Sequence, residues 1–173
     1  MITLAIDAST KSTGWSIFED KELKDYGYIT ASSSNLFNRI HKMIDEIDKI
    51  IIKHKVEQIA IEDVIPEDVH HNTKVFNALM YLQGFLADKC NDYKITPVFY
   101  VASAWRKKCG IHTGRGIRRE SLKPKDIQFV KSQFGIDVND DEADAICIGF
   151  AHVGGVIKEP QEIVDEYDGF EFR

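Results

Sequence analysis

At 173 residues, 43% hydrophobic and 29% charged, the chain has the size and composition of one soluble globular domain with a real core. No apolar run approaches the ~20 residues of a membrane span, and Met1-Ile2-Thr3-Leu4 reads as the start of a strand rather than as a signal peptide. A net charge of −6 speaks against indiscriminate adhesion to polyanions.

The first elements are strands. Ile2 to Asp7 alternates with period two, placing Ile2, Leu4 and Ile6 on one face, and Asp7 ends the run ahead of a small-residue turn reaching Gly14. Gly14 to Phe18 and Leu23 to Thr30 read as two further strands around the charged turn Glu19-Asp20-Lys21, which predicts an antiparallel meander. Ser34 or Asn35 then caps a helix whose apolar positions, Leu36, Ile40, Met43, Ile44, Ile47, Ile50 and Ile51, recur at helical spacing. Gln58 to Val64 is the next strand, carrying Glu62-Asp63 near its end and closed by Pro66.

The polar stretch from Glu67 to Lys74 includes His70-His71 and reads as a loop. From Phe76 to Leu86 a helix shows apolar residues on more than one face, the pattern of a helix sandwiched in a core or shared with another subunit. Pro97 to Val101 is a fifth strand. After Pro124 comes a helix stopped at Gly135, and from Asp140 an acidic helix start runs into an apolar stretch. The expected order, βββ-α-β-α-β-α-α, is a mixed α/β sheet flanked by helices. Residues 1–155 are expected to form the domain and 156–173 an acidic tail, with six acids from Glu159 to Glu171.

Charge is unevenly spread. From Trp105 to Lys125 there are eight basic residues, Arg106, Lys107, Lys108, Arg115, Arg118, Arg119, Lys123 and Lys125, against one acid, Glu120. A solvated loop is one reading of such a run; with a Trp and three Gly interleaved, a contact to a phosphate backbone is the other. Trp105 itself reads as core before it reads as a stacking platform. The cysteines, Cys90, Cys109 and Cys147, are odd in number and scattered, as expected of reduced thiols in a cytoplasm. Cys109-Gly110-Ile111-His112 is half of a zinc pattern without a second half nearby.

Four carboxylates carry the chemistry. Asp140-Asp141-Glu142-Ala143-Asp144 begins a helix, where acids suit the macrodipole, so capping is one explanation. Asp141 and Asp144, three residues apart, share a face, and Asp144 stands at the edge of a core, where a carboxylate requires a hydrogen bond, a cation or a metal. Asp7 and Glu62 each end a strand, and ligands of open α/β sheets bind beyond the carboxyl ends of strands. Were those strands parallel neighbours, a helix bringing Asp141 and Asp144 to the same edge would complete the cluster. Such a cluster repels itself unless protonated or bridged by cations, and all-oxygen donors select Mg²⁺ or Mn²⁺. Two such ions support phosphodiester hydrolysis.

Ile6-Asp7-Ala8-Ser9 through Gly14-Trp15, Ile61-Glu62, and Asp141-Glu142-Ala143-Asp144-Ala145 together resemble the RuvC-type Holliday junction resolvases, in an ordered set from Asp7 to Gly149. The resemblance implies a ribonuclease H-like fold and a homodimeric, metal-dependent endonuclease that nicks opposed strands of a four-way DNA junction. It implies Asp7, Glu62, Asp141 and Asp144 as catalytic, metal-binding acids, with two Mg²⁺ or Mn²⁺ ions per site. It also implies a dimer contact on the helix carrying Gln83-Gly84, and DNA contacts near Lys107 or Lys108 and near Lys123 or Lys125. Bacterial members carry an aromatic three residues beyond the strand-end Glu, where this chain has Ile65. With the basic stretch between Lys108 and Lys123, that departure points to a divergent, phage-type member, acting in the host cytoplasm if phage-encoded.

Other readings stay open. Asp63 competes with Glu62, although strand alternation favours Glu62, and Asp140 competes with Asp141 through a small shift of the helix start. Asp7-Ala8-Ser9-Thr10 with Gly14 also resembles the phosphate loop of actin and sugar-kinase ATPases, which need two such domains. A nuclease acting on RNA and a non-catalytic junction-binding module are the remaining alternatives.

Overall fold

The alternating apolar runs pair into one sheet in the computed structural model, which describes residues 1–66, 72–113 and 121–157. Strands β1 (Ile2–Asp7), β2 (Ser12–Glu19) and β3 (Glu22–Thr30) form the antiparallel meander. β4 (Gln58–Glu62) lies parallel to β1, and β5 (Val98–Tyr100) parallel to β4, giving the order β3-β2-β1-β4-β5. Ala5 pairs with Ala60 and Ile6 with Ile61, so Asp7 and Glu62 leave the sheet side by side.

Both faces are covered. Helix α1 (Leu36–His54) starts at Asn35, whose side chain accepts the Asn38 N–H at 3.1 Å, and ends at Lys55 with a left-handed φ of 55°. Its buried Ile40, Met43, Ile44, Ile47 and Ile51 join Leu82 and Leu86 of α2 (Thr73–Asp92) against Leu4, Ile6, Ile17, Ile59 and Ile61. The opposite face carries Ala5, Phe18 and Ala60 under α3 (Ala102–Lys108), α4 (Lys123–Phe134) and α5 (Asp140–His152). β1 and β4 are thus buried on both sides, with the large Leu4, Ile6, Ile59 and Ile61 toward α1 and α2 and the small Ala5 and Ala60 toward α5.

Helix α5 is the spine of that second layer, and every residue from Ala143 to Ala151 is buried. It lies along β2 at very short range because β2 offers small side chains beneath it. A Cβ on Gly14 would stand 1.9 Å from the Asp141 carbonyl oxygen, and one on Gly149 would stand 2.5 Å from the Phe18 ring. The Ser16 hydroxyl donates to the Ala145 carbonyl at 2.8 Å, fixing the helix along the strand. Since Gly14 pairs with Asp7, placing Asp141 over Gly14 delivers the acidic helix start to the sheet end where Asp7 and Glu62 emerge.

Several boundaries differ from expectation, the largest shift being the end of α2 at Asp92 rather than Leu86. β2 begins at Ser12 and α2 at Thr73, with Asn72 accepting the Val75 N–H at 3.2 Å, while β4 stops at Glu62. The basic segment contains an unexpected helix, α3, because Trp105 and Cys109, four residues apart, anchor one face of a turn whose other positions are charged. The stretches holding His70, His71, Arg115, Arg118 and Arg119, and most of the acidic tail, lie outside the described residues.

Candidate active site

A cavity of about 680 Å³ opens at the end of β1 and β4, and Asp7, Glu62, Asp141 and Asp144 all line it. Each arrives by a rule already stated. Asp7 continues the Thr3, Ala5 alternation of β1 and Glu62 the Ala60 position of β4, so both belong to the face under α5. On α5, the three-residue spacing brings Asp141 and Asp144 to that side. Asp63 lines the cavity as well, but its backbone N–H is held by the Tyr100 carbonyl at 2.9 Å as β4 ends.

The start of α5 separates the two competing aspartates. Asn139 is the cap, its side chain accepting the Glu142 N–H at 2.9 Å while Glu142 accepts the Asn139 N–H at 3.0 Å. Asp140, outside the cavity lining, pairs with Lys123, which holds its carboxyl below the usual range. Asp141 faces inward and accepts the Ser12 hydroxyl. Capping is thus met by Asn139 and Glu142, and neither Asp141 nor Asp144 is used for it.

The remaining acids are held from behind. The Trp105 indole N–H donates to Glu62 Oε2 at 3.1 Å, and Gln83 Nε2 donates to the Glu62 carbonyl at 2.8 Å. Asp144 is 5% exposed, and its Oδ1 has no hydrogen-bond partner although Arg106 Nη2 stands 3.6 Å away. Burial first, then the charges of Asp7 and Asp126, push the Asp144 carboxyl well above its usual range, with Arg106 pulling back and Glu62 adding to the rise. A buried oxygen with a free lone pair, among carboxylates that destabilise its charge, fits a hard cation. Among the described residues no three His, Cys, Asp or Glu side chains already converge as a finished cage. The carboxylates ring the cavity, with Ser12 and Trp105 occupying Asp141 and Glu62.

The basic residues divide. Arg106 departs from the expectation of a DNA contact. It is 4% exposed and makes three hydrogen bonds of 2.8–3.2 Å to Asp126, which is fully buried on α4. The reason lies in α3, which turns Trp105 and Arg106 inward together, Arg106 Cζ stacking 4.1 Å from the indole centroid. Lys107 and Lys125 are exposed and away from the cavity lining, and Lys108 donates to the Ala151 carbonyl at 3.2 Å while lying over the Tyr100 ring. Lys123 does line the cavity. Its hydrogen bond to Asp140 outweighs partial burial and holds the ammonium above its ordinary value.

Several site residues have no counterpart in the sequence-based expectation. Lys11, Arg39 and Lys74 also line the cavity, brought from the β1–β2 turn, α1 and α2, with the Arg39 guanidinium donating to the Thr10, Ser33 and Ser34 carbonyls. Ser12 acts on Asp141, and Gln83, expected only as a mark of the dimer-contact helix, donates instead to the Glu62 backbone. Asp126 had a legible signal: with Phe129, Val130 and Gln133 it occupies one buried helical face, where a lone acid demands a cation.

The chain is similar to known proteins over most of its length. The family model described as crossover junction endodeoxyribonuclease RuvC matches residues 3–152. The crossover junction endodeoxyribonuclease RuvC of Fusobacterium nucleatum is 30% identical over 163 residues, covering 90% of this chain and 82% of that protein. A second, from Campylobacter concisus, is 30% identical over 93 residues, covering 51% of this chain and 57% of that protein. Among solved structures, T. thermophilus RuvC in complex with Holliday junction substrate superposes with a TM-score of 0.72 at 12% identity, over 89% of this chain and 94% of that one. The fowlpox virus resolvase bound to Holliday junction DNA gives 0.56 at 13% identity, over 88% and 97%. The fold is therefore the ribonuclease H-like fold of the resolvases, and the chain belongs to the RuvC family of crossover junction endodeoxyribonucleases.

Proposed function

We infer that this protein is a metal-dependent endodeoxyribonuclease that resolves four-way DNA junctions by hydrolysing phosphodiester bonds, with Asp7, Glu62, Asp141 and Asp144 as its catalytic acids. The observation that carries the reading is the meeting of these four carboxylates, from β1, β4 and α5, around one cavity that includes an unsatisfied buried oxygen. All-oxygen donors favour two Mg²⁺ or Mn²⁺ ions. Bound there, the ions would activate a water and offset charge on the phosphodiester. The chain's own part is to hold the acids: Ser12 orients Asp141, while Trp105 and Gln83 fix the Glu62 side chain and backbone. Lys123, Lys11, Arg39 and Lys74 of the cavity lining supply positive charge, suited to the flanking phosphates of a DNA strand.

DNA contacts are proposed for Lys107, Lys108, Lys123 and Lys125, and for Arg115, Arg118 and Arg119 outside the described residues. Arg106 is withdrawn from that set. Residues 1–155 are proposed as the nuclease domain and 156–173 as a tail. The three buried free cysteines support a reducing cytoplasmic setting, and among the described residues no helix is long and apolar enough to cross a membrane.

The test uses a synthetic immobile junction with Mg²⁺, mapping any nicks. The expected result is paired nicks on opposed strands, lost by about 10³-fold or more in Asp7→Asn, with junction binding retained in a gel-shift assay. Cleavage surviving in that variant, or no nick with any divalent metal, would overturn the reading.

Two opposed nicks need two sites related by a two-fold axis, so a homodimer is proposed. Met80, Tyr81 and Phe85 of α2 are exposed and continue into Phe37 of α1, whose ring lies 5.9 Å from that of Tyr81. Light scattering is expected to return twice the chain mass, and Phe85→Glu about half of that. A monomeric wild type at assay concentrations would exclude the dimer.

A further inference from the structure

Two adjacent residues of α3 reach two different carboxylates of the cavity. We propose that Trp105 and Arg106 are positioning residues of the metal site, and that Asp126 is the anchor that keeps Arg106 from closing on Asp144. The proposal rests on the reading of the four carboxylates given above.

Arg106 lies between two buried acids and treats them unequally. Nε approaches Asp126 Oδ1 at 3.2 Å and Oδ2 at 3.0 Å, and Nη2 approaches Oδ2 at 2.8 Å, the fork geometry in which a guanidinium is held most firmly. The same Nη2 stops 3.6 Å short of Asp144 Oδ1, and that oxygen accepts no hydrogen bond. Asp144 thus receives a nearby positive charge while its lone pair stays vacant. A direct bond would occupy the atom a cation needs; no countercharge at all would leave a buried carboxylate unsupported. The intermediate position depends on Asp126, which is fully buried and lines neither the cavity nor the surface.

Trp105 completes the device. Its ring lies under the guanidinium at 4.1 Å, limiting rotation of Arg106, and its N–H holds Glu62 Oε2 at 3.1 Å. A single turn of helix therefore sets the carboxylate of β4 through an indole and that of α5 through a guanidinium.

The consequence is a directional prediction. In Asp126→Asn the anchor keeps its shape but loses its charge, and Arg106 turns to the other buried acid within reach, Asp144. Mn²⁺ binding by the DNA-free protein, read by electron paramagnetic resonance, is expected to weaken about 10–100-fold. Adding Arg106→Gln to Asp126→Asn removes the competitor and is expected to recover most of that loss, whereas a pair that merely props up the fold would bind no better in the double variant. Trp105→Phe keeps an aromatic ring but loses the indole N–H together with the fused second ring, and, with the fold confirmed by circular dichroism, is expected to weaken Mn²⁺ by about tenfold with the KM for the junction unchanged. It also serves as the measurement should Asp126→Asn fail to fold. Unchanged Mn²⁺ affinity in folded Asp126→Asn, or in Trp105→Phe, overturns the proposal while leaving the catalytic reading intact. Absence of Mn²⁺ binding by the wild type overturns the catalytic reading itself.

Discussion

Replacing Asp144 by Asn is expected to extinguish strand cleavage while making the metal-free protein more stable. Both effects come from one fact: this carboxylate is buried among Asp7, Asp126 and Glu62 with one guanidinium nearby, and its proton is held well above the usual carboxylate range. As pH rises past the ordinary carboxylate range, the unfolded chain releases the Asp144 proton while the folded chain still holds it. Stability therefore falls with rising pH across that window and levels off above the raised value. Asn removes the fall, and a gain of about 1 kcal/mol, ~2–4 °C in a chain of this size, is expected at neutral pH without metal. Cleavage is expected to drop about 10³-fold or more, since the group lost is the one whose oxygen is vacant for a cation. Calorimetry in EDTA and in Mg²⁺ separates the two: Mg²⁺ is expected to raise the melting temperature of the wild type and leave Asp144→Asn unmoved. An Asp144→Asn protein less stable than wild type in EDTA would show that Asp144 is a structural partner of Arg106.

Gly14→Ala is expected to be the most damaging added methyl group among the described glycines. The added Cβ would meet the Asp141 carbonyl at 1.9 Å and its carbon at 2.5 Å, both backbone atoms that no rotamer change can move. Either β2 bends or α5 lifts, and overpacking of this kind costs about 3 kcal/mol. Lifting α5 also withdraws Asp141 and Asp144 from Asp7 and Glu62, and ~1 Å of displacement at a catalytic group lowers rate about 10²-fold. Thermal unfolding and single-turnover cleavage measured together test this. Wild-type stability and rate in Gly14→Ala would mean that the helix does not lie this close to the strand.

Much of the fold was legible locally. Alternation marks β1 and β4, the 3–4 spacing of isoleucines marks α1, and the acids closing two strands and opening α5 announce a shared edge once those strands are paired. Strand alternation, which puts Glu62 on the Ala60 side, also favours Glu62 over Asp63 without coordinates. Legibility ends where a side chain's role depends on what arrives from elsewhere. Arg106 sits in the most basic segment of the chain, so composition presents it as a DNA contact, and only Asp126, twenty residues later, makes it a core residue. The helix carrying it is short and ends in three consecutive cations, too weakly periodic to be read against that background. Ser12, Lys11, Arg39 and Lys74 have no motif of their own; they are site residues because of where the β1–β2 turn, α1 and α2 converge.

The burial of α5 from Ala143 to Ala151 also bears on motion. A helix packed on every side does not open locally, so amide exchange along it reports the global unfolding of the domain rather than a private fluctuation. Asp144 rides on that helix, and Asp141 sits two residues ahead of its buried stretch. Those two acids therefore belong to an element expected to exchange only with global unfolding, in contrast to the exposed Lys11 and Lys74 on the cavity's other wall.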